Sequence, residues 1–119
     1  MSPVFRLTHA KNGVDARAQQ IDGEFTVLAG SVVAGSVRTS EKYRDSTARA
    51  YAAYQALHDK LVADGSIAVA QGTGTVTRDI VFSSPSTAGA MVLGRSCNGR
   101  LSWVSDEGTF GEWESRGVE

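Results

Sequence analysis

A predicted helix start and the turn after that helix hold the side chains that could bind an anion. Unpaired backbone N–H groups at a helix N-terminus attract negative charge, and here serine hydroxyls stand on both sides of Pro85. Two arginines follow the helix and could approach a phosphate, while a tryptophan, if partly exposed, could stack on a base. The candidate nucleic-acid or anion site therefore contains Ser84, Ser86, Arg95, Asn98, Arg100 and Trp103.

A purely structural interpretation explains the same segment without a ligand. The small residues from Ala88 to Ala90 allow a short helix to lie close against a sheet, and Asn98-Gly99 is typical of a turn. Trp103 would then cover apolar area at the edge of the helix. The residues alone leave both interpretations open.

Metal binding and catalysis have no positive support in the sequence. His9, His58 and Cys97 occur singly, without the close spacing of zinc ligands, so no metal or other cofactor is expected. His58 falls within a predicted helix and is expected to be half-exposed. Cys97, in a predicted exposed turn, is a conceivable thiol nucleophile, but a small residue filling a turn is the favoured interpretation. We therefore expect a protein that is not an enzyme.

The charge balance disfavours strong binding to duplex DNA. Twelve basic and thirteen acidic residues give a net charge of −1, whereas nonspecific DNA binding usually needs a basic excess. The charge is uneven along the chain: residues 106–119 carry five acids against Arg116, a balance of −4, which leaves +3 on residues 1–105. Weak or shape-dependent contact with nucleic acid remains compatible with these numbers.

Two dipeptides near the start of the chain predict hairpin turns, and a later segment has apolar residues at helical spacing. Asn12-Gly13 and Asp22-Gly23 tolerate positive φ in type I′ turns, and alternating polar and apolar residues around them predict a three-stranded antiparallel meander. Between them and the helix, Val32 to Ala34 predicts a short strand or loop. From Thr47 to Asp64 apolar residues recur at helical spacing, and Gly65 suits the residue after the last turn.

The second half of the chain predicts a further hairpin and a short helix. The hairpin joins Ile67–Gln71 to Val76–Phe82 through Gly72-Thr73-Gly74. The helix begins after Ser84, with Pro85 in its first position, and ends near Leu93 with Gly94 as its cap. After these come predicted turns at Asn98-Gly99 and Asp106–Gly108, separated by a strand from Leu101 to Val104. The expected fold is α+β in a single domain, residues 1–119, with an antiparallel sheet, one long helix and one short helix.

The subcellular location is predicted from the length of the apolar runs, the N-terminal residues and the single cysteine. The longest uncharged apolar run, from Phe25 to Ala34, is far shorter than the roughly 20 residues that a membrane helix needs. Residues 1–20 lack the apolar segment of a secretory signal. One cysteine cannot form an internal disulfide. We expect a cytoplasmic protein that does not contact the membrane.

The order of features from Phe82 to Trp103 is distinctive. An aromatic residue is followed by a Ser-Pro-Ser helix start, a helix of small residues, Gly-Arg-Ser, Asn-Gly-Arg and a tryptophan. This order closely resembles an uncharacterised module, a domain of unknown function, found at the C-terminal end of GIY-YIG nuclease-related proteins. A similar arrangement occurs in the restriction-system adenine-methylase-associated domain. The resemblance covers about residues 57–113, with Thr87, Gly89 and Cys97 as departures from the usual pattern.

The resemblance implies a context rather than a catalytic activity, because the chain contains neither a Gly-Ile-Tyr nor a Tyr-Ile-Gly element. The leading hypothesis is a non-catalytic accessory module of nucleic-acid processing or restriction, whose partners would be DNA or RNA and a nuclease or restriction-system protein. The alternative is a protein-interaction or homodimerisation module without nucleic-acid contact, which packs a tyrosine-bearing helix (Tyr43, Tyr51, Tyr54) against its partner.

Overall fold

The computed structural model describes residues 2–37 and 45–116, with backbone only at residues 45–48. Over these residues the strands are β1 (Phe5–His9), β2 (Val14–Ile21), β3 (Glu24–Val27), β4 (Val32–Ala34), β5 (Ile67–Ala70), β6 (Thr73–Val76), β7 (Ile80–Phe82), β8 (Val104–Ser105) and β9 (Gly108–Thr109). The helices are α1 (Asp45–Ala63), α2 (Pro85–Leu93), α3 (Gly99–Ser102) and α4 (Phe110–Arg116). The predicted α+β class is confirmed, with two more helices in the described ranges than the sequence predicted.

The nine strands form one antiparallel sheet in the order β5-β6-β4-β2-β1-β8-β9, and β3 joins β2 to β7 beside this path. The N-terminal meander is confirmed. Asp22 and Gly23 have φ of 51° and 82°, as a type I′ turn requires. The predicted turn at Asn12-Gly13 is wrong, because a 3-10 turn over Ala10–Asn12 makes the connection and only Gly13 has positive φ, at 72°.

The second hairpin is present, but its turn lies earlier than predicted. Gln71 and Gly72 occupy the turn with φ of 54° and 83°, and β6 starts at Thr73. Gly74, predicted in the turn, lies instead inside β6, where a Cβ would come within 2.8 Å of the Ile67 side chain. The predicted strand from Val76 to Phe82 is divided, because β7 leaves this hairpin and pairs with β3.

Alternation along β1 and β2 gives the sheet a buried face and an exposed face. Phe5, Leu7, Val14 and further apolar residues of the two strands are buried on the side where the helices pack. Helix α2 lies there against several strands, and its small residues Ala88 and Ala90 are fully buried. The residues between them on β1 and β2, among them Arg6 and Arg17, are exposed on the opposite side.

Helix α1 confirms the long predicted helix, and Gly65 after it has φ of 84°. The prediction that His58 is half-exposed is wrong, since its side chain is 2% exposed. Its Nε2 lies 3.0 Å from the carbonyl oxygen of Ala34. A carbonyl only accepts hydrogen bonds, so Nε2 donates, and the bond joins α1 to β4.

The C-terminal quarter differs most from expectation. Asn98-Gly99 begins a helix instead of a hairpin turn, because the Asn98 side chain accepts a hydrogen bond from the Arg100 N–H and caps α3. The predicted strand from Leu101 to Val104 is therefore wrong over its first three residues, because α3 extends to Ser102 and β8 starts only at Val104. The turn predicted at Asp106–Gly108 is present at Asp106 and Glu107, which connect β8 to β9, whereas Gly108 is the first residue of β9.

Candidate functional site

The start of α2 is built as the sequence predicted. Ser84 is the N-cap, and its Oγ accepts a hydrogen bond of 3.0 Å from the Thr87 N–H while it donates to Thr87 Oγ1. Pro85 takes the first helical position and Gly94 closes the helix with φ of 71°. The Ser84 hydroxyl therefore caps the helix, and its hydrogen bonds are made within the protein.

The second serine of the predicted site connects two helices. Ser86 Oγ accepts a hydrogen bond of 3.0 Å from the Gly99 N–H at the start of α3. The Gly99 backbone lies so close that a Cβ on this residue would overlap Pro85 and the Ser86 nitrogen. The first turn of α3 therefore covers the start of α2, where the sequence predicted an anion.

Carboxylates surround the remaining opening beside α2. A cavity of about 460 Å³ is lined by Ser83, Ser84 and Pro85 on one side and includes Glu24 and Glu114 in its wall. A phosphate entering this cavity would meet the carboxylates of Glu24 and of Glu114, of which the second is paired with Arg100. The electrostatics at the start of α2 are therefore unfavourable for the predicted ligand.

Trp103 cannot stack on a base, so this predicted role is wrong. The residue is 0% exposed, and its Nε1 donates a hydrogen bond of 3.0 Å to the Pro85 carbonyl oxygen. Its ring meets Phe25 edge to face, with centroids 5.2 Å apart. Stacking requires an accessible ring face, and this one is used in the core.

The other three predicted site residues are exposed, but their surroundings differ. Arg100 forms an ion pair with Glu114, which offsets its charge, and its Nη2 also donates to the Gly111 carbonyl. Asn98 caps α3. Arg95 is exposed just beyond α2. The structure brings Asn98 and Arg100 together through the α3 cap, and it connects Ser86 and Trp103 to the α2–α3 contact.

A second cluster of cations lies on the far side of the sheet. Arg6 of β1 and Arg17 of β2 stand directly opposite each other, and Arg6 also pairs in register with Val104 of β8. We name this surface the open face and define it by its exposed residues Val4, Arg6, Thr8, Asp15, Arg17 and Val104. A groove of about 780 Å³ runs over it and extends to Ser102, Ser105 and Asp106.

The two arginines of the open face differ in their ion pairing. Arg6 Nη2 lies 3.7 Å from Asp15 Oδ1, with both side chains about half exposed. Within residues 2–37 and 45–116, the Arg17 guanidinium has no salt-bridge partner. Like charges directly opposite each other on neighbouring strands destabilise a sheet, so the pair is not explained by stability. The arrangement is suited to an anion that bridges both guanidinium groups.

The thiol of Cys97 is poorly suited to nucleophilic chemistry. It is half-buried, and burial raises its pKa above the ordinary value of 9.0, although a hydrogen bond with Ser102 and the charge of Arg95 act in the opposite direction. A raised pKa leaves little thiolate at neutral pH. In the described part of the chain, no three His, Cys, Asp or Glu side chains are grouped closely enough to hold a metal ion.

The tyrosines expected to bind a partner are used within the domain. Tyr51 Oη accepts a hydrogen bond of 3.0 Å from the Ser96 N–H, which connects α1 to the segment after α2. Tyr54 packs edge to face against Tyr51, with centroids 5.9 Å apart, and both are partly buried against the core. Tyr43 lies outside the described residues.

Comparison with known proteins identifies the family. The profile of a family described as a domain of unknown function (DUF4357) matches residues 5–113 of this sequence, so the chain belongs to that family. The match extends well beyond the segment in which the sequence pattern was recognised. No curated protein and no solved structure gives a significant match. Among the described residues, no helix is long and apolar enough to cross a membrane.

Proposed function

We propose that this member of the DUF4357 family is a non-catalytic accessory module of nucleic-acid processing or restriction, and that it binds nucleic acid weakly through the open face of its sheet. The resemblance to modules of GIY-YIG nuclease-related proteins supports the context, with a nuclease or restriction-system protein as the partner that would supply catalysis.

The observation that supports the binding proposal is the pairing of Arg6 with Arg17 across β1 and β2. Two arginines that stand opposite each other on neighbouring strands can direct their guanidinium N–H donors to the oxygens of one phosphate or of two successive phosphates. Thr8, Ser102 and Ser105 add hydroxyl groups along the same groove. Contacts of this kind fix a backbone in place without reading its sequence.

The charges around the groove predict weak, salt-sensitive binding. Asp15 already pairs with Arg6, and Asp106 lines one end of the groove. Neutralising about two phosphates predicts that log K falls with log salt with a slope of about −1.4 for a single strand and about −1.8 for a duplex. Strong duplex binding would require a larger basic surface than the open face provides.

Fluorescence anisotropy with labelled single- and double-stranded DNA and RNA, titrated with salt, tests the proposal. We expect Arg6→Ala/Arg17→Ala to weaken binding at low salt by about tenfold or more, because phosphate contacts supply nearly all nonspecific affinity. The matched control is Arg49→Ala/Lys60→Ala, which removes the same charge from exposed positions of α1. Equal binding by the wild type and the open-face variant, or no binding at any salt concentration, would reject the proposal.

A second double variant tests whether nucleic acid binds the open face or the segment after α2. Arg95→Ala/Arg100→Ala removes the two arginines that the sequence pattern singled out near α2. Because Arg100 is paired with Glu114 and the α2 start is covered by α3, we expect this variant to bind within about twofold of the control. A larger loss here than in the open-face variant would move the binding surface to the Arg95–Arg100 segment.

A further inference from the structure

Two exposed valines lie beside the arginines of the open face. Val104 of β8 pairs directly with Arg6, and Val4 precedes Arg6 by two residues, so both valines share the face of that arginine. Val4 and Val104 are 41% and 44% exposed, and both line the groove. The two valines therefore add apolar surface to a groove whose proposed ligand is anionic.

This combination of cations and apolar side chains is suited to a single strand of nucleic acid. The bases of a duplex are paired and stacked inside it, so its outer surface presents phosphate and sugar. The bases of a single strand are free to turn out and lie on a protein surface, including the plane of an arginine side chain. The groove volume of about 780 Å³ is within the range of about 300–1,000 Å³ that is usual for small-molecule sites, which leaves room for a base.

The charge along the groove changes from positive to negative. Across the sheet the order is Arg17, Arg6 and Val104, and Asp106 follows in the turn after β8. A phosphate at Asp106 would be repelled, whereas an amino group of a base would donate a hydrogen bond to this carboxylate. A continuous duplex backbone is therefore a poorer fit to the groove than one phosphate followed by a base.

We propose that the ligand of the open face is a single strand of nucleic acid, with a phosphate held by Arg6 and Arg17 and a base lying on Val4 and Val104. This inference rests on the proposed function and specifies its substrate class. Every base has an apolar face that valine can contact, so the groove selects the single-stranded form and tolerates different sequences.

Comparison of a single strand with its duplex tests this inference, because electrostatics alone predicts the opposite preference. A duplex carries about twice as many phosphates per unit length as a single strand. In anisotropy titrations at low salt, we expect a mixed-sequence DNA or RNA strand to bind about threefold or more tightly than the DNA duplex of that sequence. Equal or tighter binding of the duplex would overturn the inference.

A double variant of the valines separates contacts with bases from contacts with phosphates. Val4→Ala/Val104→Ala should weaken single-strand binding by about threefold or more, because it removes apolar contact area. Binding of inorganic polyphosphate, which has phosphates without bases, should stay unchanged. The matched control is Val62→Ala/Val69→Ala, which shortens exposed valines of α1 and β5 outside the groove. Single-strand binding equal to that of the control, or an equal loss of polyphosphate binding, would contradict the base contact.

A gain of affinity tests the same contact without depending on a loss that misfolding could cause. Val104→Tyr places an aromatic ring, which strands favour, where we expect the base, so single-strand binding should tighten by about fivefold or more. Val69→Tyr is the control and should leave binding unchanged. No gain with Val104→Tyr, or an equal gain for the duplex, would overturn this inference alone. Unchanged binding by Arg6→Ala/Arg17→Ala would instead reject the proposed function and this inference together.

Discussion

The indole of Trp103 donates its hydrogen bond to the carbonyl oxygen of Pro85, the first residue of α2, at 3.0 Å. Together with the hydrogen bond from the Gly99 N–H to Ser86 Oγ, it holds the first turn of α2 against α3. The two bonds use four residues of the sequence pattern that first suggested an anion site, Pro85, Ser86, Gly99 and Trp103. That pattern therefore describes a packed contact between two helices. The exposed arginines of the sheet, Arg6 and Arg17, lie on the open face.

Trp103→Phe should destabilise the domain by about 1–3 kcal/mol. The substitution removes the hydrogen bond to the Pro85 carbonyl and part of a ring that is completely buried. The free energy of unfolding, measured with urea, checks this. Leu101→Ala, two residues away in α3 and 65% exposed, should change stability by no more than about 0.5 kcal/mol. Equal stabilities for Trp103→Phe and the wild type would show that the bond contributes nothing.

Gly89→Ala should destabilise the domain, and Cys97→Ala should relieve most of that loss. A methyl group at Gly89 would overlap the Sγ of Cys97, so helix α2 or the Cys97 segment would have to move. Overpacking of this kind costs about 1–3 kcal/mol. In the Cys97→Ala background the sulfur is absent, and alanine is a better helix former than glycine.

A double-mutant cycle of these two variants, followed by urea unfolding, measures the coupling between the two positions. We expect an interaction energy of about 1–2 kcal/mol in favour of the double variant. Additive effects would show that the Cys97 sulfur is not the source of the destabilisation by Gly89→Ala, since Leu7 and Trp103 lie at ordinary contact distance.

The α2 segment and the N-terminal meander were predictable because their signals are local. Ser84, Pro85 and Gly94 each occupy the capping position that their residue type favours, and Asp22-Gly23 forms the expected turn. Such positions depend on backbone preferences within a few residues. The burial of His58 was not predictable in this way, because it depends on the distant Ala34 carbonyl.

The open face shows why the candidate site was missed. A two-residue turn at Asn12-Gly13 would close Lys11 against Val14 and so place Arg6 opposite Gln19. The 3-10 turn over Ala10–Asn12 shifts the register, and Arg6 meets Arg17 instead. A difference of two residues in the β1–β2 connection therefore decides whether Arg6 and Arg17 stand opposite each other. No local sequence pattern indicates the length of this connection.

Helix α4 was missed although a local signal marks its start. Thr109 and Glu112 have the spacing of a capping box. Thr109 Oγ1 accepts from the Glu112 N–H, and Glu112 Oε1 accepts from the Thr109 N–H, each at 3.2 Å. A search for this motif, with Phe110 and Trp113 as the apolar residues of the helix, would have predicted α4.

Cys97 should react slowly with thiol reagents. Its raised pKa and half-buried position keep the thiolate fraction and its access to reagents low at neutral pH. In a time course with a chromogenic disulfide, the native protein should react more slowly than the urea-unfolded protein, and its rate should rise with pH. A native rate equal to or above the unfolded rate would instead indicate an activated thiol and favour the interpretation of Cys97 as a nucleophile.

The capping box predicts a pH dependence of stability. Hydrogen bonds from the Thr109 N–H and hydroxyl, with a smaller effect of Arg116, lower the pKa of Glu112 below its ordinary value of 4.5. A lowered carboxyl pKa in the folded state means that its stabilising contribution is present above the ordinary value and is lost as the pH falls through the folded value. Glu112→Gln should therefore reduce stability at neutral pH, and the difference from the wild type should shrink in acid.

Urea unfolding of the wild type and Glu112→Gln at neutral and at strongly acidic pH measures this change. Ser115→Ala, an exposed substitution on the same helix, is the control and should differ from the wild type by the same small amount at both pH values. Thr109→Ala should reduce stability by about 0.5–2 kcal/mol at neutral pH, because it removes the cap hydroxyl of α4. If the Glu112→Gln difference stayed constant with pH, the carboxylate charge would have no part in stabilising α4.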